Sequence, residues 1–600
     1  LSEFYQTVSD STQDIKIGAF ALDEDSLGNE VLLYREDSSA LVLALNFNAI
    51  EKSLGEVYLK RIIPNESKTT LALQYQKVGS LSDFVFVVPF GSESVIDSIS
   101  KVYSIEWLND STMAYAKQDE IGRAGELYSR GILSSTDSLL FTEEDKTFDI
   151  EVFRDDEHLF CTIQSKTENE IYLINANPVG HFLELLKGRE SGVQNTIKAF
   201  DEYYLLVSDE NRGTSILRSS FDRKEDWQTI AEIDKNFHIV DFSILGNRLV
   251  VSGYEKSISK LKFMEMSNGK WQDPKLKLGI GQYFLHSKLS DPNKLGFTFS
   301  SPAVPSQSFV YHFDTEKLTK REPRFELSPM KHRYNSVRRM WAKSYDGTAV
   351  PITVVNNGAA PKGSGGLILK VYGAYGANTT PGFYADESIL MQQGHTIAYA
   401  HVRGESILGA DWYKEGRVLQ KKNSILDYLA CAEYLIKKKL TTREKLIGYG
   451  NSAGGLVVAQ AANLRPDLFN TIILDHPYLD VVNTIMNDTL PLTIDEYKEW
   501  GNPNESEVFD YIMGYSPYQN IEPQHYPNVL LAASYQDFQT PVWQIAKYAA
   551  KLRENNLGTS LVVLRTDMNS GHMGSRSGKE WIKDFAEEYS FVKLKLGEPE

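Results

Sequence analysis

Strand-like apolar segments recur through the first half of this chain at a nearly constant step, and that step dictates the architecture. They centre near Val42, Val85, Tyr128, Tyr172, Leu217, Lys262 and Tyr311, with steps of 43, 43, 44, 45, 45 and 49 residues. A second strand precedes each by about a dozen residues, near Leu32, Ala72, Ala114, Phe160, Leu205, Val250 and Thr298. Turn-rich segments lie between the strands, such as Asp155-Asp156-Glu157 and Asp209 to Gly213. A repeat of about 45 residues is the size of one four-stranded propeller blade. The WD dipeptide is no regular signature here, so the expectation of a seven-bladed β-propeller rests on period and strand character. The alternative is a non-repeating β-sandwich array whose strands are evenly spaced.

Six hundred residues exceed one core and imply at least two large domains. The repeat ends near Pro323, and residues 325–345 read as a connector closed by the turn signal Ser344-Tyr345-Asp346-Gly347-Thr348. Strand-like runs then alternate with helical ones. The strands are Leu367–Tyr372, Thr396–His401, Lys445–Tyr449, Thr471–Leu474, Val529–Ala533 and Leu561–Leu564. The helices include Ser424–Lys438, Leu456–Leu464, Val542–Glu554 and Gly578–Tyr589. The expected fold is therefore a propeller over residues 1–335 followed by an α/β domain over 336–600. That domain has a mostly parallel sheet with helices on both faces.

The net charge of −17 argues against a nucleic-acid surface, which needs basic patches to neutralise phosphates. No apolar run reaches the roughly 18 residues of a membrane span. Only Cys161 and Cys431 occur, so a disulfide framework is not expected, and a reducing, cytoplasmic compartment is. Leu1-Ser2-Glu3-Phe4 is not a signal peptide and has no initiator Met, which points to a fragment or a processed chain. The eleven histidines form no H-E-x-x-H or similar cluster, and no phosphate-binding glycine loop with lysine is present. No metal or cofactor is expected.

The chemistry lies in Gly450-Asn451-Ser452-Ala453-Gly454, set between an apolar strand and a helical pattern. In a nucleophile elbow the serine takes a strained backbone and its neighbours are small, so that strand and helix can approach. The alternative is an ordinary serine in a glycine-rich turn. In an α/β-hydrolase an acid and then a histidine follow the serine, each after a later strand. Asp537 stands just past Val529–Ala533, and His572 follows Leu561–Leu564. Asp567 is the second-ranked acid, too near His572 in sequence to be the strand-end member. Ser452 would be the nucleophile, His572 its base and Asp537 the group that orients the imidazole. The Ala453 N–H would be one oxyanion donor.

Several blocks of this second half resemble the prolyl oligopeptidase family of serine peptidases, in particular its oligopeptidase B branch; the prolyl endopeptidase-like branch shares many of them. They are Val371–Gly376, His401-Val402-Arg403-Gly404, Gly450–Gly455, Leu490–Thr493, Glu499-Trp500-Gly501-Asn502-Pro503, Tyr515–Tyr518 and Thr566–His572. The resemblance implies the triad Ser452, Asp537 and His572. It adds the Tyr372 hydroxyl as a second oxyanion donor, where the bland reading is a buried strand-end aromatic. It implies short peptide substrates admitted past the propeller, and a substrate-binding role for residues around Arg403 and Glu496. Family members of this order carry a hydrolase segment before the propeller, which is not evident in this sequence.

The specificity residues depart from the pattern. Oligopeptidase B enzymes use a Glu-x-Glu before Glu-Trp-Gly-Asn-Pro to bind Arg or Lys at P1, the residue that precedes the cut bond. Here the stretch is Glu496-Tyr497-Lys498, so Lys498 is expected to oppose a basic side chain. An Asp-x-Asp for a second basic residue is replaced by Thr380-Pro381-Gly382. Glu405-Ser406-Ile407-Leu408-Gly409 differs from the family's more glycine-rich loop. The expectation is a serine oligopeptidase with a weakened dibasic preference. An esterase or thioesterase on the same scaffold, or a catalytically weak interaction protein, is the alternative. Sequence does not give the oligomeric state.

Overall fold

A strand that is apolar on both faces needs a cover on each, and this requirement organises both halves of the molecule. The computed structural model describes residues 57–321, 335–357 and 365–597, except 78, 91–93, 178–179, 201, 211–212, 225, 235–236, 287–290 and 575–577. It also describes the strands Phe20–Glu24, Glu30–Arg35 and Leu41–Asn46.

The first half is a seven-bladed propeller. Its blades are the three strands just named, a seven-stranded sheet that counts as two blades, and four four-stranded sheets. The double sheet arises because one long strand, Asp97–Asn109, serves both of its blades. It pairs with Asp83–Pro89 up to Val102 and with Thr112–Lys117 from there on, bending beside Lys101 at φ 58°. Every repeat anchor read from the sequence falls on the third strand of its blade, and every companion segment on the second.

Packing explains why the second strands were so legible. Their alternate residues face opposite neighbours. Met113 and Tyr115 pack with the second blade, while Ala114 packs with the fourth. Leu159 and Cys161 face the third blade, and Phe160 faces the fifth. Leu249 and Val251 face the fifth, and Val250 the seventh. Both faces of each inner strand are thus buried, so the strand must be continuously apolar.

The second half holds an eight-stranded sheet: β1 (Asn335–Lys343), β2 (Ala349–Asn357), β3 (Leu367–Val371), β4 (Thr396–Ala400), β5 (Leu446–Asn451), β6 (Thr471–Asp475), β7 (Asn528–Ser534) and β8 (Val562–Asp567). Their spatial order is β1-β2-β4-β3-β5-β6-β7-β8. β1 and β2 are antiparallel to their neighbours and the rest run parallel. Crossovers carry α1 (Ala385–Gln392), α2 (Lys422–Lys437), α3 (Ala453–Leu464) and α4 (Val542–Asn555), and α5 (Gly578–Leu596) follows β8. Helices α2, α3 and α4 cover one face, over Leu369, Val371, Leu474 and Leu531. Helices α1 and α5 cover the other, over Ile368, Ile397, Ile447 and Ile473. This is the α/β-hydrolase arrangement.

One reading needs correction. Residues 335–343 are β1 of the hydrolase sheet, not connector; residues 325–334 lie outside the described ones, as does the chain start. β1 is an edge strand, so Arg338 and Trp341 stay exposed and its pattern reads as polar. The turn signal at Ser344–Thr348 joins β1 to β2 as expected, with Gly347 at φ 94° and its N–H donating to the Ser344 carbonyl at 2.9 Å. No helix among the described residues is long and apolar enough to cross a membrane.

Among the described residues, five blades touch the hydrolase through one rim, at or beside the turns that join their second and third strands. Gly79 lies against Gln536. The Ile121 carbonyl accepts the Leu492 N–H at 3.3 Å. Lys166 pairs with Asp495 at 2.8 Å. The Ser257 carbonyl accepts from Arg339, and Ser300 Oγ accepts the Phe383 N–H at 3.1 Å.

Candidate active site

At Ser452 the chain turns from β5 into α3 with φ 50° and ψ −124°, outside the ordinary regions for a residue with a side chain. The flanking glycines permit it. A Cβ on Gly450 would sit 2.2 Å from the Gly454 carbonyl oxygen, and one on Gly454 would sit 2.3 Å from that of Val371. The turn is held from outside: the Ser452 N–H donates to the Asp475 carbonyl at 2.9 Å, and the Tyr478 N–H donates to the Ser452 carbonyl at 3.0 Å.

His572 reaches this turn from the loop after β8. Its Nε2 lies 3.1 Å from Ser452 Oγ and its Nδ1 lies 2.8 Å from Asp537 Oδ2. Asp537 also accepts the Gln539 and Thr540 N–H groups, both at 2.9 Å, and the Thr540 hydroxyl at 2.7 Å. Burial pushes its carboxyl up, but His572 and Thr540 outweigh burial and hold it below the ordinary range. Asp567 instead caps the His572 loop by accepting the Asn569 N–H at 2.8 Å. That loop has a further anchor. Ser570 Oγ meets Ser534 Oγ at 2.6 Å, Ser534 meets His476 Nε2 at 2.6 Å, and His476 Nδ1 meets Asp475 at 2.7 Å.

Tyr372 follows β3 and lines the cavity that opens beside Ser452. Burial pushes this phenol up to about 12, so it stays a proton donor at neutral pH. Ala453 opens α3, where helix N–H groups have no intrahelical partner. Beneath Tyr372, the buried Lys421 ammonium donates to the Gly373 carbonyl at 2.5 Å, lies 4.6 Å from the centre of the Trp500 ring and faces Glu499 at 3.6 Å.

A cavity of about 360 Å³ opens beside Ser452. Tyr372, Tyr478, Trp500, Leu492 and Phe538 give it an apolar and aromatic wall, and Glu496 and Lys166 a polar end. Glu496 Oε2 accepts from the Tyr375 hydroxyl and the Trp500 indole N–H, each at 2.7 Å. Burial pushes the Glu496 carboxyl up to about 7, although Lys166 opposes the shift.

Two expected substrate-binding residues stand elsewhere. The Lys498 ammonium lies 5.9 Å from the Phe148 ring of the propeller and does not line the cavity. Glu496 and Lys498 lie at the start and inside of the short helix Tyr497–Trp500, and helical residues two apart do not share a face. Arg403 is buried in a structural cluster. It binds Asp427 through Nη2 at 2.7 Å and Nε at 2.9 Å, and Asp346 through Nη1 at 2.7 Å. The cation that does line the cavity is Lys166, supplied by the fourth blade. No local pattern around Ser165-Lys166-Thr167 announces this role. Thr540 had a signal, because an Asp three residues before a Thr commonly accepts its backbone N–H.

Fold and site together define an α/β-hydrolase of the serine-nucleophile class, capped by a propeller. Residues 381–599 match the model of the prolyl oligopeptidase family, and residues 22–324 match that of the prolyl oligopeptidase N-terminal beta-propeller domain. The chain belongs to the prolyl oligopeptidase family and is a serine-type peptidase. It is 28% identical to Protease 2 of Moraxella lacunata, across 94% of this chain and 83% of that protein. It is 29% identical to the Xenopus laevis prolyl endopeptidase-like protein, across 96% of this chain and 82% of that protein. Among solved structures it resembles oligopeptidase B of Leishmania major in fold, with a TM-score of 0.88, 23% identity, and coverage of 99% of this chain and 89% of that one.

Proposed function

We propose that this protein is a serine oligopeptidase that hydrolyses short peptides through Ser452, His572 and Asp537. The observation that carries the reading is the pair of contacts made by one imidazole, 3.1 Å to Ser452 Oγ and 2.8 Å to Asp537. His572 Nε2 takes the Ser452 proton as Oγ attacks the scissile carbonyl carbon. The oxyanion that forms receives the Ala453 N–H and the Tyr372 hydroxyl, and Asp537 stabilises the imidazolium. The imidazolium then gives its proton to the leaving amine, the amine departs and an acyl-Ser452 ester remains. Water, deprotonated by His572, releases the acid and restores the serine.

Residues 1–335 act in this reading as a gate over a catalytic domain of residues 336–600. Their rim contacts leave the site open only to short, flexible chains. Cys161 and Cys431 are both buried free thiols, which suits a cytoplasmic setting. Preference for Arg or Lys at P1 would have to work through Glu496, whose Oε2 already accepts two hydrogen bonds.

The test is turnover of a fluorogenic peptide panel with Arg, Lys, Leu, Phe and Pro at P1, by the intact protein and by Ser452→Ala. Turnover that Ser452→Ala abolishes supports the reading. Hydrolysis of acyl esters with no peptide cleaved would replace it with an esterase, and equal rates for both proteins would overturn it.

A further inference from the structure

We infer that Lys166 is a specificity residue: a cation built into the substrate cavity that stands where a basic P1 side chain would stand, and that sets this enzyme to cleave after uncharged apolar or aromatic residues. The inference rests on the reading of Ser452 as the peptidase nucleophile and goes on to name the substrate class.

Three observations carry it. Lys166 lines the same cavity as Ser452, Tyr372 and Glu496, although it comes from the turn between the second and third strands of the fourth blade. Its ammonium is tied down at 2.8 Å to Asp495, the neighbour of Glu496, and lies 5.7 Å from the centre of the Tyr375 ring, whose hydroxyl donates to Glu496. The carboxylates at this end of the cavity therefore already have a cation, and among the described residues the rest of the lining offers no other acidic side chain. Burial alone would lower the Lys166 ammonium, but Glu496 and Asp495 outweigh it and keep it protonated.

The consequence is electrostatic. A P1 guanidinium or ammonium entering this end meets a like charge held in place by Asp495, and the carboxylates there are already engaged. An apolar P1 side chain leaves that pair undisturbed and gains contact with Tyr478, Trp500, Leu492 and Phe538. Lys498, which the sequence offered for this part, points away toward Phe148.

The test measures how peptide aldehydes with Arg or Leu at P1 protect Ser452 from a fluorophosphonate probe, so it needs no peptide turnover. It uses the full-length protein, Lys166→Met and Lys166→Arg. Lys166→Met keeps an unbranched apolar stem, and Lys166→Arg keeps the charge. The expected result is that the unaltered protein and Lys166→Arg bind the Leu aldehyde at least ten times more tightly than the Arg one. Lys166→Met should narrow that ratio at least ten-fold, each ratio being read against that variant's own labelling rate without inhibitor. Preference of the unaltered protein for Arg, or an unchanged ratio in Lys166→Met, would overturn the inference and leave the peptidase reading standing. If the unaltered protein labels no more than Ser452→Ala, the peptidase reading falls and takes this one with it.

Discussion

In the proposed mechanism Ser452, His572 and Asp537 do different physical work, and each can be tested separately. Tyr372 is the most informative proposed partner, because it lines the cavity beside Ser452 and its phenol, pushed up to about 12, remains protonated. Removing one oxyanion donor costs about 10² to 10³ in kcat. Tyr372→Phe should therefore lower kcat by about 10²-fold and leave KM within a few-fold, as steady-state kinetics on a short peptide would show. Glu496 makes a second prediction. Its folded-state pKa of about 7 stands above the ordinary 4.5. A raised carboxyl pKa adds stability that is present below pH 4.5 and lost as pH rises through 7. The melting temperature of the unaltered protein, relative to Glu496→Gln, should fall between pH 5 and 8. The loss is on the order of 1 to 3 kcal/mol. The hydrogen-bonded chain from Ser452 through His572 to Asp537 was legible because an elbow and a fixed chain order leave few candidates. Lys166 was not, since it meets Glu496 from a turn more than three hundred residues earlier. Lys498 was misread because a one-residue gap in sequence becomes a large rotation inside a helix.

Among the elements, the strands that carry the site are fixed from behind by buried charge. Arg403 joins α2, through Asp427, to the β1–β2 turn, through Asp346. Asp427 is fully buried, so Arg403→Met would strand a carboxylate in the core. Breaking such a pair from one side costs about 3 to 5 kcal/mol. Urea unfolding of the hydrolase half should move by that amount, while the KM of the folded fraction stays unchanged. The inner blade strands and the parallel sheet could be read directly, since burial on both faces forces continuous apolar runs. β1 could not, since an edge strand half open to solvent keeps residues such as Arg338 and Trp341.

For the whole molecule, five blades meet the hydrolase at one rim among the described residues, and in the proposed reading access to Ser452 depends on that contact. Gly79 and Gln536 mark it, because a Cβ on Gly79 would lie 2.8 Å from that of Gln536. Gly79→Cys with Gln536→Cys, given a slight outward shift of the turn, should form a disulfide across the seam. The oxidised double variant should lose most peptide turnover and recover it on reduction, while a small fluorophosphonate labels both forms alike. The family relation was legible from ordered blocks that span the second half. The composition of the cavity was not, because it is assembled from two domains.

The most direct test of the account is the site of covalent modification. After treatment with a fluorophosphonate, mass spectrometry of the digested protein should find one adduct, on Ser452. His572→Ala should suppress that adduct by at least about 10³-fold in rate. An unmodified Ser452, an adduct on another serine, or labelling indifferent to His572 would contradict it.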